Sequence, residues 1–405
     1  MKICMLAPDF LPVWSGVGTY IVELVKHLNK NIEVHLVTPI RKDFNNKDFS
    51  TLNYDFSEYF GSNIHIHFSG IASDTFLYNA RFQYECLRFV PKLIKEENLD
   101  LIHSHSAHMP DLLLKLRKSH IPTVTTVHTT IRGQREGTKA SRAAFHDLEF
   151  SEKMTLLTYP FLRLADEFYF GLRTYCITPS EWMKKYLLID HPNLEKNVFV
   201  VPHGVDTSIF TPFDKKRSGN TNFVLFVGRL VALKGILYMI RAIPLILKEH
   251  PNTVFVFIGP GDKNPYIEEL SKCGVKKENF LFLGSVDHVS LAKWFAMSDI
   301  YVLPSFSESF SLTLLEAMSC GLPAVVSNVG GPSEIIENNV NGMLIKPGSV
   351  KAIAEAVTFL LDNPDIRSSF GHKARKTIER KYTWHKTALQ TSLIYKHVIE
   401  SNQSS

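Results

Sequence analysis

Short runs of β-branched and aromatic residues alternate with stretches of helical period along the whole chain. Parallel strands need crossover helices that cover both sheet faces, so this alternation predicts an α/β fold throughout. In the first half the apolar runs predict strands over Lys2 to Ala7, Val34 to Thr38, Ile64 to Phe68, Leu101 to His105, Thr123 to His128, Tyr175 to Thr178 and Val198 to Val201. Amphipathic stretches over Thr19 to Leu28, Phe82 to Glu97 and Asp111 to Ser119 lie between them. In the second half strands are predicted over Phe223 to Val227, Thr253 to Ile258, Phe280 to Leu283, Ile300 to Leu303, Ala324 to Val326 and Met343 to Ile345. Thr211 to Asn222 is polar, with Pro212, a Lys-Lys-Arg run and Gly219, and interrupts the alternation as a linker does. Three helical periods close the chain, over Val350 to Leu361, Ile366 to Arg380 and Trp384 to Ser401, more than the last strand needs as cover. The expectation is two doubly wound, Rossmann-like domains facing a cleft, over residues 1–210 and 211–383, with the terminal helix, about 384–401, packing back on the first.

The chain length of 405 residues agrees with two large domains. Apolar types make up 45% and charged types 21%, ordinary globular values that exclude a disordered, collagenous or coiled-coil protein. A formal charge of +5 is spread too thinly for a dedicated nucleic-acid binder. The five cysteines are scattered and form no C-x-x-C pair, which suits a reducing compartment. Pro8 and Asp9 end the first apolar stretch well short of a signal-peptide core, and no run approaches the ~18 apolar residues of a membrane span. A cytoplasmic protein is expected, with peripheral contact at the inner membrane face left open.

Doubly wound sheets bind ligands beyond the carboxyl ends of their strands, so candidate chemistry belongs in the strand-to-helix loops. After the first strand, Pro12 to Thr19 carries Gly16 and Gly18 ahead of a helix, where free N–H groups attract an anion. A turn without a ligand is equally open for this loop, which matches neither a P-loop nor the G-x-G-x-x-G fingerprint. The strand Phe223 to Val227 exits into Gly228-Arg229-Leu230-Val231-Ala232-Leu233-Lys234-Gly235. An arginine fork and a lysine point charge at one strand exit can neutralise a diphosphate; two solvated surface charges are the plainer alternative.

The sharpest pattern is Pro304 to Met318, in which Glu308 and Glu316 form an E-x7-E pair. Glu308 falls in the loop after the strand Ile300 to Leu303, and Glu316 falls inside the next helix, so both carboxylates can reach one ligand. Carboxylates accept hydrogen bonds from vicinal hydroxyls, which makes a ribose or a hexose the natural partner. Thr313 to Glu316 also matches a capping box, with Glu316 serving only its own helix, but a start nearer Ser311 gives a longer helix and is preferred. His128 ends a predicted strand at another expected cleft edge. His103, His105 and His108 raise the question of a metal, but no residue suggests itself as a fourth ligand, and there is no D-x-D in the chain. Lys115, Arg117, Lys118, Arg132, Arg135, Lys139 and Arg142 face one acid, Glu136, in the densest positive stretch. A solvated face is the default for such a run; a loop after His128 that meets an anionic acceptor or lipid headgroups is the functional alternative.

In this order the motifs resemble the retaining GT-B glycosyltransferases of group 1 (family 4). The resemblance spans nearly the whole chain: the early glycine loop, Pro202-His203-Gly204-Val205-Asp206, Gly228-Arg229-Leu230 with Lys234-Gly235, Gly259-Pro260-Gly261, Leu283-Gly284-Ser285-Val286, E-x7-E, and Gly330-Gly331-Pro332-Ser333-Glu334 to Asn341-Gly342. It implies transfer of a hexosyl or N-acetylhexosaminyl group from a nucleotide sugar to an acceptor hydroxyl with retention, by front-face attack aided by the leaving phosphate. By the same resemblance Arg229 and Lys234 hold the donor diphosphate, Glu316 the ribose and Glu308 the transferred sugar. The backbone of Phe310, Ser311 and Leu312 meets phosphate or sugar. Gly16 approaches the diphosphate from the opposite domain, Val286 borders the base, and His128 stands near the reacting sugar carbon. The family often has glycine where this chain has Ser15 and Ser311. No cofactor and no metal are expected; an anionic, a lipid-linked and a soluble acceptor all stay open. The rivals are a nucleotide-sugar epimerase or hydrolase of the same architecture and a non-catalytic carbohydrate-binding protein.

Overall fold

The computed structural model describes residues 1–11, 15–40, 60–71, 75–106, 109–117, 121–172, 174–212 and 221–403. The chain forms two compact units. One comprises Met1–Thr130, Leu164–His203 and Trp384–Ser405; the other comprises Ile131–Arg163 and Gly204–Thr383.

The first unit is built on seven parallel strands, β1 (Lys2–Leu6), β2 (Glu33–Ile40), β3 (Ile64–Ile71), β4 (Leu101–His105), β5 (Thr123–Thr126), β6 (Tyr175–Thr178) and β7 (Val198–Val200), in the order β3-β2-β1-β4-β5-β6-β7. Ile3, Cys4, Met5 and Leu6 are completely buried, as a central parallel strand covered on both faces must be. The winding reverses between β1 and β4, which makes their carboxyl ends the switch point of this sheet. β5 stops at Thr126, so Val127 and His128 belong to the strand exit and not to the ladder. The final helix, Trp384–Gln403, is part of this unit: Tyr395 is fully buried, its hydroxyl is 2.5 Å from His103 Nδ1, and the Trp384 ring lies 6.0 Å from that of Tyr20.

The second unit carries six parallel strands, β8 (Asn222–Val227), β9 (Thr253–Ile258), β10 (Phe280–Gly284), β11 (Ile300–Leu303), β12 (Ala324–Ser327) and β13 (Gly342–Ile345), ordered β10-β9-β8-β11-β12-β13. Its switch point lies between β8 and β11. The helices Val350–Asp362 and Pro364–Lys381 pack against β13, the first of them against β12 as well.

The segment Ile131–Arg163 differs from its sequence reading. Where a loop was expected after His128, residues Ile131–Ala140 form a helix, and a second helix, Phe150–Gly171, follows. Gly137 is required there by packing: a Cβ on it would fall 2.6 Å from Ser307 Cβ.

Candidate active site

The exit of β8 turns through a single 3-10 turn, Ala232–Lys234, into the helix Ile236–Glu249. Gly235 ends the turn at φ +71°, and a Cβ there would meet the Pro304 carbonyl at 2.0 Å. Only glycine lets the β8 loop lie against the β11 loop this closely, and Phe306 N–H donates to the Leu233 carbonyl at 2.8 Å across the same contact. The two loops flanking the switch point are therefore bonded to each other. Lys234 forms an ion pair with Glu308 across them. Both side chains are mostly buried, so this pair is screened less than a surface one.

Arg229 is more open, with 56% of its side chain exposed. Its guanidinium donates to Glu149 Oε2 at 2.5 Å and to Ser151 Oγ at 3.0 Å. Glu152, buried one turn further on, accepts from the backbone N–H groups of Ala232 at 3.2 Å and Leu233 at 3.1 Å. Glu149, Ser151 and Glu152 were missed from sequence. Their local signal, acids at a helix start, reads as ordinary dipole compensation, and their real partners lie about eighty residues downstream.

Glu308 is held by a second close approach. Gly330 sits at φ +56°, where a Cβ would meet the Glu308 carbonyl at 1.8 Å, and Gly331 N–H donates to that carbonyl at 3.1 Å. The helix Leu312–Ser319 begins where expected, capped by Ser311, whose Oγ accepts from Leu314 N–H at 3.3 Å. Thr313 is not the cap, so the capping-box alternative for Glu316 is not realised. Ser311 holds φ +84°, a conformation that glycine adopts without strain. Glu316 is 6% exposed. Burial pushes the Tyr301 phenol well above its ordinary pKa, and the charges of Glu308 and Glu316 both add to the rise. Both carboxylates thus act on one phenol, that of Tyr301 within β11. Phe310 buries its ring against Tyr382 and leaves only its backbone toward the loop. Val286 is half-buried just after β10, ahead of the helix His288–Met297.

In the first unit Gly16 opens the helix Gly16–His27 and is exposed, with no atom of the described residues within 4 Å of the place a Cβ would occupy. Ser15, where glycine is common in the resembled family, caps this helix by accepting from Gly18 N–H at 2.9 Å, and its hydroxyl donates to Asp9 Oδ2 at 2.9 Å. Pro12 to Trp14 lie outside the described residues. His128 Nε2 is 3.0 Å from His105 Nδ1, and the Tyr20 ring packs edge-on against His128. His103 is turned to Thr126 and Tyr395, so His103 and His105 face different partners; His108 lies outside the described residues.

The basic stretch is divided between the two units. Lys115 is in the first unit with its side chain 6% exposed, paired with Asp111 at 3.1 Å and seated 3.6 Å from the centre of the Tyr169 ring. Arg132 pairs with Glu136 at 2.8 Å and Arg135 lies over Tyr159, both in the second unit. Arg117, Lys139 and Arg142 are exposed, and Lys118 lies outside the described residues. No helix among the described residues is long and apolar enough to cross a membrane.

Two parallel sheets with helices on both faces, each with cleft-type residues at its switch point, define the two-domain Rossmann-like class known as GT-B. Comparison with known proteins takes this further. Residues 14–209 match the profile of Glycosyltransferase Family 4 and residues 209–377 that of Glycosyl transferases group 1. An uncharacterised glycosyltransferase of Methanocaldococcus jannaschii is 30% identical over 99% of both chains. The phosphatidyl-myo-inositol mannosyltransferase of Mycolicibacterium smegmatis is 24% identical over 98% of this chain and 94% of its own. Among solved structures, sucrose-phosphate synthase from Thermosynechococcus elongatus superposes with a TM-score of 0.80 at 18% identity, covering 99% of each chain. Anabaena HepE, solved with UDP and glucose, gives 0.69 at 18% identity over 98% of this chain and 99% of its own. The chain belongs to the group 1 glycosyltransferases of GT-B fold.

Proposed function

We propose that the protein is a retaining glycosyltransferase that moves a hexosyl or N-acetylhexosaminyl group from a nucleoside diphosphate sugar to an acceptor hydroxyl. The observation that carries this reading is the bonded pair of loops at the β8/β11 switch point, with Lys234, Glu308 and Arg229 on them. In the reaction the bond between the anomeric carbon and a diphosphate oxygen breaks, and the electron pair leaves with the diphosphate. Lys234 and Arg229 oppose that charge; each unit charge at about 4 Å is worth up to ~4 kcal/mol at an effective dielectric of 20, before desolvation. Glu149 occupies Arg229 as an internal anion, and the donor diphosphate takes its place. Glu308 meets the sugar hydroxyls and Glu316 the ribose. The backbone of Phe310, Ser311 and Leu312 and the N–H groups behind Gly16 contact phosphate or sugar. Val286 borders the base and His128 the reacting carbon. The acceptor hydroxyl attacks from the face the diphosphate leaves, and a donor phosphate oxygen takes its proton, so neither metal nor cofactor enters.

The acceptor reading is lipid-linked, approached by peripheral contact with an anionic bilayer on the cytoplasmic side. Phe150 and Phe161 are 73% and 76% exposed on one face of the helix Phe150–Gly171, with Leu157 between them and Phe145, Lys139 and Arg142 exposed just ahead. Apolar side chains beside basic ones suit a headgroup interface, and a relative named for phosphatidyl-myo-inositol points the same way.

Incubation with UDP- and GDP-sugars, with and without acceptor, tests the reaction. The expected product is a glycoside with the donor's anomeric configuration, formed only with acceptor and in the presence of EDTA. An inverted product contradicts retention, and donor consumption without acceptor favours a hydrolase or epimerase. Flotation with phosphatidylglycerol-containing vesicles tests the membrane contact: binding is expected for the natural chain and loss for Phe161→Glu, while a protein that never floats contradicts it.

A further inference from the structure

At the amino ends of β2 and β3, opposite the strand exits, histidines and glutamates converge. Glu33 opens β2 and His35 follows on the same face; His35 stands opposite His65 of β3 in the parallel register. Glu33 Oε1 lies 3.1 Å from His35 Nε2 and 3.4 Å from His65 Nε2, and the three ligand-type atoms all fall within 4.8 Å of one another. In a tetrahedral site with bonds of about 2.0–2.1 Å, neighbouring ligand atoms are about 3.3–3.4 Å apart. Both measured edges are of that size. Glu97 Oε2, at the end of the helix Thr75–Glu97, is 3.9 Å from His35 Nε2, within a side-chain adjustment of a fourth position.

The surroundings also suit a cation. His35 is 2% exposed, and its other ring nitrogen lies 3.1 Å from His67 Nε2, the kind of outer hydrogen bond that fixes the tautomer of a ligating imidazole. The His65 side chain, 44% exposed, leaves a way in. One cation is already present: Lys2 Nζ lies 3.2 Å from Glu33 Oε1 and 3.8 Å from Glu97 Oε2.

We propose that Glu33, His35 and His65, with Glu97 as fourth ligand, form a site for a divalent cation of the zinc class, and that Lys2 is its built-in competitor. Imidazole and carboxylate donors suit zinc, and the ion ties the edge strand β3 to β2. The site is structural and takes no part in glycosyl transfer.

Full-length protein stripped with EDTA and dialysed is titrated with ZnCl2 and, as a spectroscopic probe, CoCl2. One equivalent of zinc is expected to raise the melting temperature, and cobalt to develop the visible absorption of a four-coordinate complex. His65→Ala, at an exposed position that leaves the fold intact, weakens binding at least about tenfold, whereas Lys2→Met tightens it roughly fivefold, the scale of one unit charge at this range in a water-like dielectric. Absence of saturable one-to-one binding overturns the site, as does zinc binding that His65→Ala leaves unchanged. Lys2→Met binding that is no tighter overturns the competitor role. Transfer activity is unchanged by stripping, so failure here and failure of the transferase reading are separate results.

Discussion

Lys234 and Glu308 make one ion pair, and on the proposed reading they would serve different parts of the donor, so their variants should separate. Lys234→Ala should lower kcat by roughly 10²-fold, as loss of a charge-stabilising donor does, because it leaves the departing diphosphate without its nearest buried cation. Glu308→Gln keeps the shape of the side chain and should leave the fold intact while impairing transfer; steady-state kinetics with circular dichroism check both, and a fully active Gln enzyme removes the sugar role. Ser311 is a second residue-scale case. Its φ of +84° costs a serine about 1 kcal/mol or more, while a glycine cap gives up only a few tenths. Ser311→Gly should therefore raise the melting temperature, and Ser311→Ala, which keeps the strain and loses the cap, should lower it. At this scale the sequence singles out Arg229, Lys234, Glu308 and Glu316 as candidates by type and spacing, and the structure brings Lys234 and Glu308 together and sets Glu316 inside the following helix. Glu149 and Glu152 were not, because nothing in the residues around them records what lies across the fold.

At the scale of elements, every predicted strand is found, since each is a short apolar run between polar breaks, although β2 and β3 run on to Ile40 and Ile71 and β5 stops at Thr126. The two helices of Ile131–Gly171 were not. The first contains Gly133 and Gly137, of which packing requires the latter, and the second helix carries apolar residues on its exposed side as well as its buried one, which blurs the helical period. This segment matters because the buried Glu152 accepts from the turn that ends in Lys234. Glu152→Leu leaves two backbone donors without that partner, at about 1–3 kcal/mol each. The expected result is a lower denaturation midpoint for the second unit, together with a drop in kcat, since Lys234 loses its fixed position.

The whole molecule adds a dependence on pH. Burial drives His103 and His203 down to about 3, from an ordinary value near 6.5. Between those values the unfolded chain binds protons that the folded chain refuses, so stability is complete above about pH 6.5 and falls as the pH drops toward 3, by up to ~1.4 kcal/mol per pH unit for each histidine. Urea midpoints at pH 7.5, 6 and 5 should decrease in that order, and a flat profile would contradict the buried neutral state. Both histidines lie in the first unit, to which the terminal helix also belongs. Deleting Trp384–Gln403 removes the fully buried Tyr395 and the His103 contact, and should leave that unit molten by near-ultraviolet circular dichroism while the second retains its sheet.

That last helix also sets a timetable. The unit that holds β1 is completed by the helix Trp384–Gln403, so on the ribosome its core stays open while the second unit's residues from Gly204 to Thr383 emerge. At about 5–20 residues per second this wait is about 10–40 s. Over that interval the nascent first sheet lacks a covering helix, and synthesis of the second lobe is finished at Thr383, before the helix that completes the first is made.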